Sequence, residues 1–292
     1  MTRDGLLSRA VAGLLGSPKA TLAAIVCLIL FAAAILAPVI APQDPYDLGQ
    51  IDMFDARLPP GSTGYDGMTY WLGTDAQGRD MLSAILYGLR TSLTVGVTAG
   101  VLALIVGTAL GLIAAYAGGR LDAFIMRVVD LMLGFPTILI ALMILVVFGQ
   151  GTWKVIIALV IVQWAYFARA VRGAALVEAN KDYVEAARCL GLSPARILAM
   201  HILPNCLPPL IIIGTIQVAS AIAAEATLSF LGIGLPITEP SLGLLIANGY
   251  QVLLAGQTWI SVYPGLLLLV LVFSINIVGD RLRHVLNPRL AT

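Results

Sequence analysis

Six long apolar runs constrain the fold of this chain more than any other feature of its sequence. They cover residues 20–41, 91–117, 124–148, 153–170, 207–231 and 261–278. A helix needs about 20 apolar residues to cross the hydrocarbon core of a bilayer. Only 11% of the 292 residues are charged, whereas a soluble domain carries about 25%. We therefore predict an all-α polytopic membrane protein with six transmembrane helices. A shorter apolar piece at 242–254 predicts an interfacial or re-entrant helix.

The residues before the first run predict a short amphipathic helix. Residues 1–18 combine Arg3 and Arg9 with apolar side chains, which is typical of a helix that lies at a membrane surface. The run that follows, 20–41, is longer than the roughly 7–15 apolar residues of a signal peptide. We interpret it as an uncleaved first span.

Small residues and one proline predict the local shape of two spans. Gly96 and Gly100, and then Gly107 and Gly111, form small-xxx-small pairs, which allow another helix to approach closely. Pro136 predicts a kink in the third span because proline cannot donate the helical hydrogen bond.

The basic residues are segregated along the chain, and this predicts the orientation of the spans. Alternate segments between the spans hold four basic residues in one set and thirteen in the other. The four are Arg57, Arg79, Arg90 and Lys154, and the thirteen are Arg3, Arg9, Lys19, Arg120, Arg127, Arg169, Arg172, Lys181, Arg188, Arg196, Arg281, Arg283 and Arg289. Cytoplasmic loops carry the excess of Lys and Arg. We therefore expect both termini in the cytoplasm and the aspartate-rich loop at 42–70 outside.

Residues 178–204, here called the polar loop, form the most polar long interval between two apolar runs. Asp182 and Glu185 have the spacing of a capping box at the start of a short helix. That helix would run to Leu190, and Gly191 would take the left-handed conformation that follows a helix end.

The second half of the polar loop predicts another short helix. Ser193 could cap it, with Pro194 at the first helical position, where a missing N–H costs nothing. Pro204 predicts its end or a bend. Two short helices with a glycine elbow suggest a docking element, and a structured loop without a special task is the alternative.

Motifs of catalytic and metal sites are largely missing from the sequence. It contains no GxxxxGK[ST] phosphate-binding loop, no GxGxxG after a strand and no HExxH. Its two histidines, His201 and His284, are too far apart for a convincing zinc site. Residues 75–80 lack the ligand spacing of a calcium loop, so we interpret them as turn and capping residues, with Thr74 or Asp75 as a cap.

Two acidic residues, Glu225 and Asp130, fall within the predicted spans. Glu225 lies in the fifth run, where an ionisable side chain should face protein or water. It is either a pathway or gating residue or a partner in an interhelical hydrogen bond, and we favour the hydrogen bond. Arg127 and Asp130 are one turn apart, and we expect them to pair.

The polar loop resembles the EAA loop of ABC-importer permeases. The resemblance rests on Glu185-Ala186-Ala187, on Gly191 after three further residues, and on the ending Leu203-Pro204. His201 stands where the family pattern has Ile. In that family the Glu makes a polar contact with a groove on an ATPase, the alanines allow close approach and the glycine sets the elbow.

Other stretches resemble the C-type permeases of dipeptide and oligopeptide importers. They are 72–75 (LGTD), 78–80 (GRD), 229–234 (SFLGIG) and the ending 279–289. The resemblance implies a type I ABC importer (MetI-like) transmembrane domain. It also implies a division into an N-terminal segment, 1–90, with the first span and outer loop, and a five-helix permease core, 91–292.

The same resemblance implies a function and a set of partners. It implies import of di- or oligopeptides across the bacterial inner membrane by alternating access, with no cofactor in this chain. Expected partners are a B-type sister permease, an extracytoplasmic binding protein, two cytoplasmic ATPases that hold ATP and Mg, and the lipid bilayer. No nucleic acid is expected. The alternatives are import of nickel or glutathione, an ion-coupled secondary carrier, and an intramembrane enzyme.

Overall fold

A computed structural model describes residues 4–47, 49 and 51–286. Arg3, Arg289 and the side chain of Arg9 lie outside the described part. Within it the chain forms eleven α-helices and one small hairpin. The helices are α1 Asp4–Leu15, α2 Pro18–Ile40, α3 Met81–Ala117, α4 Gly119–Gly134, α5 Thr137–Phe148, α6 Thr152–Ala179, α7 Asp182–Cys189, α8 Pro194–Ile197, α9 Leu203–Phe230, α10 Leu242–Gln251 and α11 Trp259–Leu286. The hairpin pairs β1 (Ser62–Thr63) with β2 (Thr69–Tyr70) in antiparallel register.

Five of the predicted spans are continuous helices, and the third is broken. The helices α2, α3, α6 and α11, and the stretch Pro194–Phe230 that includes α9, are long and apolar enough to cross a membrane. The predicted kinked span at 124–148 is instead the pair α4 and α5, which meet at 93°. Phe135 is extended because the ring of the next residue, Pro136, disfavours the helical conformation there. The proline breaks the helix rather than kinking it.

The glycine pairs of α3 lie against two different helices, which confirms the prediction of close packing. A Cβ atom on Gly96 would come within 2.3 Å of Ile222 Cγ1 in α9. One on Gly107 would come within 2.4 Å of the Trp164 carbonyl oxygen in α6. Helix α3 therefore packs closely against both α6 and α9. The backbones could not come so near with any larger residue at these positions.

The aspartate-rich loop is folded, and α3 begins differently from the prediction. Asp80 caps α3 by accepting a hydrogen bond from the Ser83 N–H at 2.8 Å. The predicted cap at Thr74 or Asp75 is therefore wrong. Both residues are buried, and Asp75 accepts hydrogen bonds from the side chain and backbone of Arg79 at 2.7 and 3.0 Å. Contacts within the folded loop thus hold Thr74 and Asp75, and neither side chain caps α3.

The predicted pair of Arg127 and Asp130 is also wrong. Asp130 pairs with Arg169 of α6, and Asp122 pairs with Arg172 of the same helix. The helices α4 and α6 pack side by side, so the two carboxylates face the guanidinium groups of the neighbour. These two ion pairs join α4 to the half of α6 that we predict to lie on the cytoplasmic side.

Two shorter helices pack against the long ones. The short apolar piece forms α10, which packs against α9 and α11 and agrees with the prediction of a non-crossing helix. The predicted amphipathic helix is α1, which packs against α11. The predicted boundary between residues 90 and 91 lies inside α3, so the two segments share one helix.

Candidate coupling surface

The first half of the polar loop is a helix that ends in the predicted glycine turn. The helix α7 ends at Cys189, and Gly191 has φ = +72°. The Gly191 N–H donates to the Arg188 carbonyl at 2.9 Å, and the Leu192 N–H donates to the Ala187 carbonyl at 3.2 Å. These two bonds define the Schellman motif. The left-handed glycine therefore sets the direction in which the chain leaves α7.

The predicted capping box at the start of α7 does not form. Lys181 occupies the N-cap, and its carbonyl accepts hydrogen bonds from the N–H groups of Val184 and Glu185. Asp182 is the first helical residue. Its negative charge and that of Glu185 still lie in the first turn, where they interact favourably with the helix dipole. The Glu185 side chain is consequently available for other contacts.

The second half of the polar loop continues into the fifth span without ending. Ser193 is the N-cap of α8 and Pro194 its first residue, as predicted, although the Ser193 side chain makes no capping bond. A π-helical turn, Leu198–Ile202, then joins α8 to α9. Pro204 lies in the first turn of α9, where its missing N–H is tolerated, so of the predicted end or bend, the end is wrong. The loop is continuous with a membrane span.

The inner face of the polar loop is packed into the core. Four of its side chains are between 0% and 4% exposed, namely Val184, Ala187, Ile197 and Ile202. They belong to one apolar cluster with Phe167, Val171 and Ala175 of α6 and with Leu112 and Ala115 of α3. Side chains packed at the density of a protein interior transmit displacement, so the loop and these helices form one body.

A small polar network fastens the same loop to the ends of two spans. The Tyr183 hydroxyl donates to the Glu178 carboxylate at 2.7 Å, and Lys181 Nζ lies 2.6 Å from the same carboxylate. Asn205 Nδ2 donates to the Tyr183 oxygen at 3.2 Å and to the His201 carbonyl at 2.8 Å. Burial, and the carboxylate that accepts its hydrogen bond, raise the pKa of Tyr183 to about 12.

The opposite face of the loop is exposed and partly apolar. Glu185 and Ala186 are exposed on α7, and Leu190 and Met200 are 79% and 65% exposed. Exposed apolar side chains grouped beside charged ones are typical of a contact surface. We call these four residues the outer face of the polar loop.

The predicted site residues divide between the two faces. Glu185, Ala186, Gly191 and Pro204 are exposed. Ala187 is 4% exposed and Leu203 is partly buried in the inner cluster, so both pack within this chain. The close approach that the alanine spacing implied is, for Ala187, an approach to the chain's own helices.

Sequence reasoning missed Leu190 and Met200 as parts of this surface, and it missed the contact that Arg188 makes with α3. Leu190 follows Ala187 by three residues, a spacing that places it on the buried face of a continuing helix. The helix ends at Cys189, and Leu190 turns outwards instead. The Arg188 guanidinium lies 5.5 Å from the centre of the Tyr116 ring of α3, a cation–π contact that no local pattern signals.

Residues 107–292, more than half of the chain, match the family model described as "Binding-protein-dependent transport system inner membrane component". The chain belongs to this family. It is therefore a membrane-embedded permease component of a transport system that depends on a binding protein.

Curated relatives of this permease are similar over nearly its full length. A putative peptide transport system permease protein of Brucella suis is 42% identical, with 91% of this chain and 86% of the relative covered. The di/tripeptide transport system permease protein DppC of Pseudomonas aeruginosa is 38% identical, with 90% and 86% covered. The oligopeptide transport system permease protein OppC of Bacillus subtilis is 35% identical, with 91% and 86% covered.

A solved structure shares the fold of the permease. The inward-facing MetNI methionine ABC transporter contains a chain that is 21% identical and superposes with a TM-score of 0.58. The match covers 71% of this permease and 98% of that chain. The fold is accordingly the MetI-like transmembrane domain.

Glu225 of the permease lies near the opposite end of α9 from the polar loop. It is fully buried, and its carboxylate accepts hydrogen bonds from Ser92 of α3 at 2.7 Å and from Ser229 at 2.8 Å. The Ser92 oxygen also accepts from the Leu242 N–H at the start of α10, at 3.4 Å. The bond to Ser92 is the interhelical hydrogen bond that we favoured in the sequence analysis of Glu225. A role in the pathway or in gating stays a prediction.

Proposed function

We propose that this permease is the C-type membrane subunit of an ATP-driven importer of peptides. The relatives named as peptide, di/tripeptide and oligopeptide permeases support the substrate class, because they match about nine tenths of this chain. The mechanism is alternating access, in which a binding protein and ATP each bias one of two states.

The observation that carries the proposal is the two-sided construction of the polar loop. Its inner face is locked to α3, α6 and α9, whereas its outer face presents Glu185, Ala186, Leu190 and Met200. A partner that moves the outer face must move the attached spans with it. The loop therefore connects a soluble motor to the membrane helices.

The proposed partners follow from this construction. Two cytoplasmic ATPases would hold ATP and Mg and contact the outer face, and this chain would itself hydrolyse nothing. A B-type sister permease would complete the pore, and an extracytoplasmic binding protein would deliver the peptide. The distribution of basic residues supports a polar loop and termini that face the cytoplasm.

Uptake in membrane vesicles tests the proposal. Vesicles that carry the complete transporter should accumulate a radiolabelled dipeptide, and depletion of ATP should abolish the accumulation. An ionophore should have little effect while ATP is supplied. Uptake that survives ATP depletion and collapses with the ionophore would identify a secondary carrier. ATP-dependent accumulation of nickel or glutathione, with no accumulation of peptides, would contradict the peptide assignment.

A further inference from the structure

The structure contains a polar cavity of about 480 Å³ far from the polar loop in sequence. It lies where the junction of α1 and α2 meets the C-terminal part of α11. Its polar lining comprises Ser17, Lys19, Asn276, Asp280, Arg281 and His284. Three of these six side chains are basic or can become so, whereas one is acidic. We propose that this cavity, here called the basic pocket, binds the phosphate headgroup of an anionic phospholipid.

The cationic groups of the basic pocket are free to meet an anion. Lys19 is exposed, and no ion pair within the described part of the chain uses its ammonium group. Arg281 is positioned by its Nε, which donates to the Gly13 carbonyl at 2.9 Å. This leaves the terminal Nη groups as donors. A guanidinium held in one place at the edge of a cavity suits the oxygens of a phosphate.

The acidic residue in the pocket does not cancel the positive charge. Asp280 Oδ2 lies 3.9 Å from His284 Nε2, and both side chains are more than half exposed. The cavity is lined by one carboxylate and by two permanent cations, Lys19 and Arg281, so it keeps an excess of positive charge at neutral pH. Ser17, the N-cap of α2, has a hydroxyl that makes no capping bond and can donate to a headgroup oxygen.

The position of the pocket indicates a lipid as the source of the phosphate. The pocket lies at the start of α2 and near the end of α11, on the side where the basic residues predict the cytoplasm. Basic pockets between transmembrane helices on that side bind the headgroups of anionic lipids.

An apolar groove beside the pocket provides room for an acyl chain. A second cavity, of about 570 Å³, is lined by α9, α10 and α11 and shares Phe273 and Asn276 with the basic pocket. Its other lining side chains are almost all apolar, and they include Leu269 and Val272. A polar cavity that adjoins an apolar groove matches a phospholipid better than free phosphate.

Native mass spectrometry of the full-length permease in a neutral detergent tests this inference. The protein is titrated with phosphatidylglycerol or phosphatidylcholine, and the dissociation constant of the first bound lipid is measured. We expect phosphatidylglycerol to bind about tenfold more tightly, and Lys19→Gln to weaken its binding about fivefold. Arg283→Gln is the matched control, because Arg283 is exposed on the same helix and does not line the pocket. It should change the affinity less than twofold.

Two results would overturn the inference. One is equal affinity of the wild-type protein for the two lipids. The other is an equal loss of phosphatidylglycerol affinity in Lys19→Gln and Arg283→Gln. In a further experiment, millimolar inorganic phosphate is added to the complex of the wild-type protein with phosphatidylglycerol. Retention of the lipid supports the phospholipid as the ligand, and full displacement by phosphate contradicts it.

Discussion

The Tyr183 hydroxyl donates a hydrogen bond of 2.7 Å to the Glu178 carboxylate and so joins α7 to the end of α6. The same hydroxyl oxygen accepts a bond from Asn205 in the first turn of α9. A single phenol thus connects α7 to two membrane spans. The contribution of this connection can be tested separately from the outer face of the polar loop.

Removal of the Tyr183 hydroxyl should loosen the loop without disturbing its outer face. Tyr183→Phe deletes a hydrogen bond to a charged group, which contributes about 1.5–3 kcal/mol when well formed and less at this partly exposed site. We expect faster hydrogen exchange in α7 and less peptide uptake per ATP hydrolysed, with normal ATPase binding. Tyr166→Phe is the control, because Tyr166 lies on α6 outside this network. Unchanged exchange in α7 would show that the bond does not hold the loop.

The glycine elbow should respond to backbone conformation rather than to crowding. Gly191 has φ = +72°, and a Cβ atom there would meet no atom within 4 Å. Gly191→Val should therefore destabilise the loop by about 1–2 kcal/mol through its backbone alone, whereas Gly191→Asn should be tolerated. Thermal unfolding and uptake of the two variants provide the measurement. Equal behaviour of Val and Asn would show that the left-handed conformation is unimportant.

The buried ion pair of the aspartate-rich loop should be essential for the fold of that loop. The side chains of Arg79 and Asp75 are 3% and 0% exposed, and Arg79 Nε lies 2.7 Å from Asp75 Oδ2. Arg79→Ala leaves a buried carboxylate without its partner, which costs about 3–5 kcal/mol. We expect this loop to become sensitive to protease added from outside. Arg90→Ala, at an exposed position of α3, is the control and should remain resistant. Equal resistance of both variants would contradict the importance of the pair.

Substitutions of Glu225 separate a structural role from a role in gating. Glu225→Gln keeps a group that can bond to Ser92 and Ser229, whereas Glu225→Leu leaves their buried hydroxyls without this acceptor, at a cost of about 1–3 kcal/mol each. A structural role predicts that the Gln variant retains stability and uptake and that the Leu variant loses stability. Loss of uptake by a stable Gln variant would instead favour gating.

Much of the fold was predictable because its determinants are local in sequence. The length of the apolar runs predicted the spans. The spacing of Gly96, Gly100, Gly107 and Gly111 predicted close contacts with other helices. Gly191 was predictable because few other residues accept a positive φ at a helix end. These features depend on a few neighbouring residues, which the sequence displays directly.

The wrong predictions concern partners that are distant in sequence. Asp130 has Arg127 one turn away but pairs with Arg169, 39 residues later, because α4 packs against α6. Aspartate is a residue type that favours helix N-caps, yet the folded loop buries Asp75 against Arg79. The outer face was only partly predictable, since the exposure of Leu190 depends on the exact residue at which α7 ends.

If the outer face binds an ATPase, charge reversal at Glu185 should disrupt that contact. The Glu185 side chain makes no hydrogen bond or ion pair within the described part of the chain, so the fold should tolerate its replacement. Glu185→Gln is the intermediate variant, because it removes the charge and keeps the size.

The most direct test is co-purification of the ATPase subunits with the tagged permease from membranes. Glu185→Lys should insert normally but lose the bound ATPases and ATP-dependent uptake, and Glu185→Gln should lie between it and the wild type. Arg120→Glu, at an exposed position of α4 outside the polar loop, is the charge-reversal control and should keep the bound ATPases. Normal ATPase recovery and uptake with Glu185→Lys would contradict the account.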